Sequence, residues 1–160
     1  MNAKRAGKLL LVEDENVLRG LIAQFLRVEA YEVIEAADGQ EALDRYAAFQ
    51  PFDVVLLDLN LPIFCGIEVC RRIKIERPSQ QVLICSAAVM DSDIDVLHSL
   101  GVERFLTKPY HPLDLLTGID LAMGRCNQAF SSRAGRYFGT PHSSIRRIDS
   151  VLPATQTLVK

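Results

Sequence analysis

The sequence predicts an α/β domain in which a doubly wound, five-stranded parallel sheet carries helices on both faces. Five short apolar segments alternate with five segments of helical periodicity along most of the chain. The apolar segments are nearly continuous, as in strands that are covered on both faces. A strand followed by a helix, five times over, favours parallel pairing through right-handed crossovers.

The five predicted strands are short and rich in aliphatic residues. They are LLLV at residues 9–12, YEVIEA at 31–36, DVVLL at 53–57, QVLICSA at 81–87 and RFLT at 104–107. Segments of this length with few charges are typical of buried strands.

The first two helices are predicted from apolar residues that recur at helical spacing and form one buried stripe each. In the first helix the stripe consists of Val17, Leu18, Leu21, Ile22, Phe25 and Leu26. In the second, within DGQEALDRYAAF at residues 38–49, it consists of Ala42, Leu43, Tyr46 and Ala47.

The other three helices are delimited by residues that start or stop helices. The third runs from Gly66 to about residue 77 and is stopped by Pro78. The fourth is expected to begin with an N-cap among residues 91–93 and to end at Gly101. The fifth starts near Pro112. Its predicted inward side carries Leu113, Leu116, Ile119 and Met123.

Charge divides the chain into a body at residues 1–124 and a tail at residues 125–160. The body carries 12 Lys and Arg against 19 Asp and Glu, whereas the tail carries 6 against 1. The tail is rich in Ser, Gly and Arg without periodicity, and we expect it to be flexible. An acidic body argues against a nucleic-acid surface, while the tail could touch an acidic partner, RNA or the body itself.

No segment indicates a membrane span or a signal peptide, and the sequence therefore predicts a soluble, cytoplasmic protein. The cysteines form no CxxC pair, and we expect them to be reduced and structural. The three histidines are not spaced along the chain as metal ligands are, so we expect surface or capping roles for His98, His111 and His142.

Reactive side chains follow four of the predicted strands. The acidic run at residues 13–15 follows the first strand, Asp58 the third, Ser86 closes the fourth, and Lys108 follows the fifth. Ligands of open parallel sheets bind outside the carboxyl ends of the strands. We therefore expect these groups to converge on one crevice.

Clustered carboxylates predict a binding site for a hard divalent cation, because these groups repel one another unless a metal ion that prefers oxygen ligands binds them. Asp14, Asp58 and the main-chain carbonyl of Asn60 are candidate Mg²⁺ ligands, and Glu13 could act through water. Lys108 would add a fixed positive charge for a phosphoryl group. Asp58 then becomes a candidate nucleophile that forms an aspartyl phosphate.

These motifs resemble the receiver domain of two-component response regulators, of the single-domain type found in chemotaxis, over about residues 7–124. VEDE matches the acidic pair of that family at Glu13 and Asp14, and LLDLNLP with the later Gly66 matches its phosphoacceptor loop. ICSA and FLTKP match the motifs that end its fourth and fifth strands. The matching residues are Ser86, Ala87, Phe105, Lys108 and Pro109.

The resemblance implies a flavodoxin-like (βα)5 receiver domain that is switched by phosphorylation rather than a turnover enzyme. It implies that Asp58 takes a phosphoryl group from a sensor histidine kinase or phosphotransfer protein with Mg²⁺. It also implies that Ser86 senses this group and that Phe105 lies at the position of the aromatic switch. The Lys108–Pro109 bond is expected to be cis. A surface at residues 91–123, formed by the fourth helix, fifth strand and fifth helix, would contact an unknown downstream protein.

Asn60 and Ala88 occupy positions that tune the dephosphorylation rate in this family. Glu rather than Asp at position 13, and IFCG before the helix, are mild departures. Ala87 is small, which would leave room for the backbone to approach a bound phosphoryl group.

Three alternatives remain open. A phosphatase similar to haloacid dehalogenases would need a second Asp where Asn60 stands. A binding module with a vestigial pocket would act independently of phosphorylation, and the chain could be a receiver fragment of a longer regulator. Taken singly, Asp58 could cap the next helix, and the acidic pair could complement the dipole of the first helix.

Overall fold

The structure, a computed structural model that describes residues 7–125, contains one sheet of five parallel strands. The strands are β1 (Lys8–Val12), β2 (Glu32–Ala36), β3 (Val54–Leu57), β4 (Gln81–Ser86) and β5 (Arg104–Thr107). The helices are α1 (Asn16–Val28), α2 (Gly39–Phe49), α3 (Gly66–Glu76), α4 (Asp91–Ser99) and α5 (Pro112–Ala122). The order β2-β1-β3-β4-β5 is the flavodoxin-like, doubly wound order, so the predicted fold class is confirmed.

The strands send alternate side chains to two separate hydrophobic cores, as the pleat of a β-strand requires. Leu9 and Leu11 of β1 enter a core that also contains residues of α1 and α5. Leu10 and Val12 enter a second core that contains residues of α2, α3 and α4. The sheet is therefore covered on both faces, which is why its strands are apolar on both sides.

The predicted inward stripes are wider than the helix surfaces that the sheet covers. In α1, Val17 is 71% exposed and Leu21 is 60% exposed, whereas Ile22 and Leu26 are buried. Ala47 of α2 and Leu113 of α5 are also exposed. A helix that lies on a sheet buries only the arc that faces it, so apolar residues at the margins of the stripe stay in solvent.

The predicted boundaries of α3, α4 and α5 hold, except that the N-cap of α4 is corrected. The third helix ends before Pro78, and the fifth begins at Pro112 as predicted. The N-cap of α4 is Met90 rather than one of residues 91–93, because the Asp93 carboxylate accepts a hydrogen bond from the Met90 amide at 3.2 Å from within the first turn. After α4, Gly101 adopts φ +75° as a residue that ends the helix.

A lysine is buried near the amino ends of the strands, on the side of the domain opposite to their carboxyl ends. Lys74 of α3 is 8% exposed, and its ammonium donates hydrogen bonds to the carbonyls of Pro78 at 3.2 Å and Gly101 at 3.4 Å. Burial lowers the pKa of Lys74 below its ordinary value. These bonds connect the end of α3 to the turn between α4 and β5.

Within residues 7–125, no helix combines the length and the apolar character that crossing a bilayer requires. The predicted tail, apart from Arg125, lies outside the described residues.

Candidate functional site

The reactive residues follow neighbouring strands in the middle and on one side of the sheet. β1, β3, β4 and β5 are adjacent in that order, so the side chains that follow them lie along one edge. Main-chain pairing continues past the strands, since the Asp58 amide donates to the Val12 carbonyl at 3.1 Å and the Lys108 amide to that of Ser86 at 3.0 Å. These backbone hydrogen bonds therefore fix the main-chain positions of Asp58 and Lys108 at this edge of the sheet.

Asp58 lies at the centre of the site with both carboxylate oxygens bonded. The residue is 5% exposed. Its Oδ1 accepts hydrogen bonds from the Ser86 hydroxyl and from the Asn60 amide, each at 3.0 Å, and its Oδ2 pairs with the Lys108 ammonium. Helix α3 begins at Gly66 with Cys65 as its N-cap, so Asp58 does not cap it.

Lys108 also pairs with Glu13, at 2.5 Å between Nζ and Oε2. Burial disfavours the charge of Lys108, but the hydrogen bonds to Asp58 and Glu13 outweigh it, and the pKa of Lys108 is raised. Burial also raises the pKa of Glu13, which the hydrogen bond from Lys108 partly offsets. The ammonium is held in place by two carboxylates from different strand ends.

An acidic cluster completes the site. Carboxylate oxygens of Glu13, Asp14 and Asp58 lie within 4.8 Å of one another, with Asp14 exposed and the other two buried. When all are charged, these three acids and Lys108 leave a net charge of −2. Hard oxygen donors with this charge fit a divalent cation such as Mg²⁺. Asn60 reaches the cluster through its main-chain amide.

A glycine allows the loop after β3 to pack closely. A Cβ placed on Gly66 would lie 2.7 Å from the Leu59 Cα and would also collide with the Asp58 backbone. The Gly66 amide donates to the Leu59 carbonyl at 2.9 Å. The loop therefore folds back on the residue that follows Asp58, and this position excludes larger side chains.

The remaining predicted residues lie around the cluster rather than in it. Phe105 is half-buried on β5, where its ring contacts His98 instead of the carboxylates. Ala87 is exposed just after β4. The Lys108–Pro109 bond is cis, as the family resemblance implied.

Sequence reasoning missed two residues that contact site residues. Arg19 of α1 donates to the Glu13 carbonyl at 2.8 Å and approaches the Glu35 carboxylate at 3.6 Å, so it braces the acidic turn. His98 is exposed, which agrees with the predicted surface role, and its ring also packs on Phe105. No sequence signal indicated the bond from Arg19, because the i,i+4 spacing of Glu15 and Arg19 suggests a pair with the Glu15 carboxylate rather than with the Glu13 carbonyl.

The chain belongs to the response regulator receiver domain family, whose model matches residues 9–120. Among curated relatives, it is 34% identical over 122 residues to the alkaline phosphatase synthesis transcriptional regulatory protein SphR of Synechococcus elongatus, covering 71% of this chain and 48% of the relative. It is 33% identical over 119 residues to the transcriptional regulatory protein PdtaR of Mycobacterium tuberculosis, covering 74% and 57%. The chain thus spans about half the length of the curated relatives it matches.

Solved structures agree with this assignment. The CheY-like receiver domain protein of Methanospirillum hungatei superposes with a TM-score of 0.71 at 25% identity, covering 75% of this chain and 95% of that one. The chemotaxis response regulator CheY4 of Vibrio cholerae gives 0.67 at 27% identity, covering 74% and 99%. The fold is therefore that of a receiver domain.

Proposed function

We propose that the protein is a phosphorylation-activated response regulator in which Asp58 accepts a phosphoryl group from a sensor histidine kinase or phosphotransfer protein. The observation that carries the proposal is the position of the buried Asp58 carboxylate, which lies between the Lys108 ammonium and the Ser86 hydroxyl and next to two further acids. Carboxylates act as nucleophiles toward phosphorus where cations neutralise the transferred oxygens.

In the proposed transfer, one Asp58 oxygen attacks the phosphorus of a phosphohistidine. The new P–O bond forms as the P–N bond breaks, and the departing imidazole keeps the electron pair and takes a proton from solvent. Lys108 moves its hydrogen bond from Asp58 to a phosphoryl oxygen. The barrier is lowered chiefly by positioning and by charge neutralisation.

Asp14, Asp58 and the Asn60 carbonyl would hold Mg²⁺, with Glu13 acting through water. The bound ion would neutralise charge on the transferred group. Support for a divalent ion comes from the net charge of the acidic cluster and from the exposure of Asp14, which leaves the cluster open to solvent.

The phosphoryl group would be sensed by several contacts together. A charge-assisted hydrogen bond from Ser86 is worth about 1.5 to 3 kcal/mol, whereas moving a switch from 1:99 to 99:1 takes about 5.5 kcal/mol. Ser86 therefore needs help, which we assign to the Lys108 pair and to inward movement of Phe105. The surface at residues 91–123 would report the change to a downstream protein.

We also propose how the protein acts on its downstream partner. The curated relatives are described as transcriptional regulatory proteins, and the chain spans about half of their length. We propose contact with a protein partner through the surface at residues 91–123 rather than nucleic-acid binding by the acidic body. We further propose a cytoplasmic location and chemistry limited to self-phosphotransfer and self-dephosphorylation.

Labelling by acetyl phosphate with Mg²⁺ tests the central step. Intact mass spectrometry should find one added phosphoryl group on the wild-type chain and none on Asp58→Asn. Asp44→Asn is the matched control, because Asp44 is exposed on α2 and bonds only Gln40 among the described residues. Labelling of Asp58→Asn at the wild-type level would move the acceptor elsewhere, and an unlabelled wild-type chain would favour a binding module that ignores phosphorylation.

A further inference from the structure

We propose that His98 is a positioning residue of the switch, which holds the Phe105 ring against α4 until Asp58 is phosphorylated. The inference rests on the proposed function of Asp58 and goes beyond it by naming a residue that sets the resting position of Phe105. The two ring centroids are 5.6 Å apart, and the ring planes meet at 71°. Edge-to-face contacts of aromatic rings favour this distance and angle.

His98 is exposed on α4, but backbone hydrogen bonds fix the position of the turn that follows it. His98 lies in the last turn of α4 next to the fully buried Leu97. The Gly101 amide donates to the His98 carbonyl at 2.9 Å, and the Val102 amide to that of Leu97 at 2.9 Å. This closed turn leads directly into β5 and so brings position 105 back beside position 98.

Phe105 is placed so that it can connect His98 with the phosphoryl site. It pairs with Ile84 in the sheet, while Ser86 pairs with Thr107. Because side chains alternate along strands, Ser86 and Phe105 point to the same face of the sheet as diagonal neighbours. Phe105 packs at the margin of the core that contains Ile84 and Leu97. The ring lies on His98 in this structure, and the proposal assigns it a position nearer Ser86 in the phosphorylated state.

The resting contact opposes phosphorylation-dependent switching by a modest amount. His98 stacks on Phe105 in the state in which Ser86 bonds the unmodified Asp58 carboxylate. When the Ser86 hydroxyl turns to a phosphoryl oxygen, Phe105 leaves His98 for the space beside Ser86. Loss of an aromatic contact of this kind shifts such an equilibrium by about three- to ten-fold.

Binding of beryllofluoride with Mg²⁺, measured by calorimetric titration or fluorine NMR, tests the inference. His98→Ala should bind this phosphoryl mimic about three- to ten-fold more tightly than the wild type. His98→Phe keeps a ring edge and should stay within about twofold of the wild type. Ser99→Ala is the control, because Ser99 is the exposed neighbour on α4 and bonds Val96. In a Phe105→Ala background, His98→Ala should have no further effect.

The outcomes separate this inference from the proposed function. Unchanged or weaker binding by His98→Ala, or an effect that persists in the Phe105→Ala background, overturns the role of His98 and leaves phosphorylation of Asp58 standing. A wild-type chain that neither binds beryllofluoride nor is labelled by acetyl phosphate overturns both. Equal tightening by Ser99→Ala would mean that general loosening of α4 is responsible, which also overturns the role of His98.

Discussion

Lys108 and Glu13 form an ion pair of 2.5 Å that connects the end of β5 to the end of β1. The same ammonium pairs with Asp58 at the end of β3, between them. The side chains of Glu13 and Asp58 are 4% and 7% exposed, so little solvent is available to stabilise either charge. One amine therefore stabilises two buried carboxylates.

Replacing Lys108 by Met should destabilise the fold. Removing one partner of a buried ion pair leaves an uncompensated charge, which costs about 3 kcal/mol or more. Urea unfolding at neutral pH measures this loss. Lys8→Met is the control, because Lys8 pairs at 3.3 Å with the well-exposed Glu32, and loss of such a surface pair costs at most about 1 kcal/mol. Equal losses in the two variants would contradict the importance of the buried pair.

Mg²⁺ should stabilise the wild-type chain against thermal unfolding. A ligand that binds only the folded state at tenfold excess over its Kd adds about 1.4 kcal/mol. Asp14→Asn should remove most of this shift, since it takes an exposed carboxylate from the acidic cluster. Asp44→Asn should keep the full shift. A Tm that ignores Mg²⁺ in the wild type would argue against the metal site.

Gly66→Ala should be strongly destabilising, because the new Cβ would lie 2.7 Å from the Leu59 Cα and meet the backbone of Asp58. Overpacking of this kind costs about 2 kcal/mol or more. Gly20→Ala is the opposite case, since Gly20 lies within α1 with nothing within 4 Å of an added Cβ. That change should stabilise the chain by about 0.5 to 1 kcal/mol. Similar effects at the two sites in urea unfolding would refute the close approach at Gly66.

Lys74 should make stability rise with pH in the alkaline range. Burial lowers the folded-state pKa of Lys74 below its ordinary value of 10.5. Between the lowered pKa and 10.5 the unfolded chain binds more protons than the folded chain, so the free energy of unfolding increases as pH increases. Lys74→Met lacks this group, and the difference in stability between wild type and variant should rise across that window. A flat difference would show that the Lys74 charge is not penalised.

Strand positions could be predicted from sequence because buried parallel strands are continuous apolar runs, and the reactive residues follow them directly. The convergence of the site residues could be predicted from the rule that the carboxyl ends of parallel strands meet at one edge of the sheet. These residues are Glu13, Asp58, Ser86 and Lys108. The buried faces of the helices were harder to predict, because Val17 and Leu21 have helical spacing yet lie outside the arc that the sheet covers.

Contacts that depend on turn geometry could not be predicted at all. His98 and Phe105 meet because the turn at Gly101 closes, and seven residues of spacing carry no such information. Similarly, the sequence places Lys108 near the acids, but it does not say that one ammonium pairs with two of them.

The difference in exposure within the acidic cluster would affect how a metal ion enters and leaves the site. Asp14 lies at the rim, in water, whereas Glu13 and Asp58 form the floor. A carboxylate at this exposed position would replace part of the hydration shell of a divalent ion, such as the proposed Mg²⁺, before the buried acids bind it. Loading and release of the ion would therefore require no opening of the sheet, and we expect their rates to be set by water exchange rather than by unfolding.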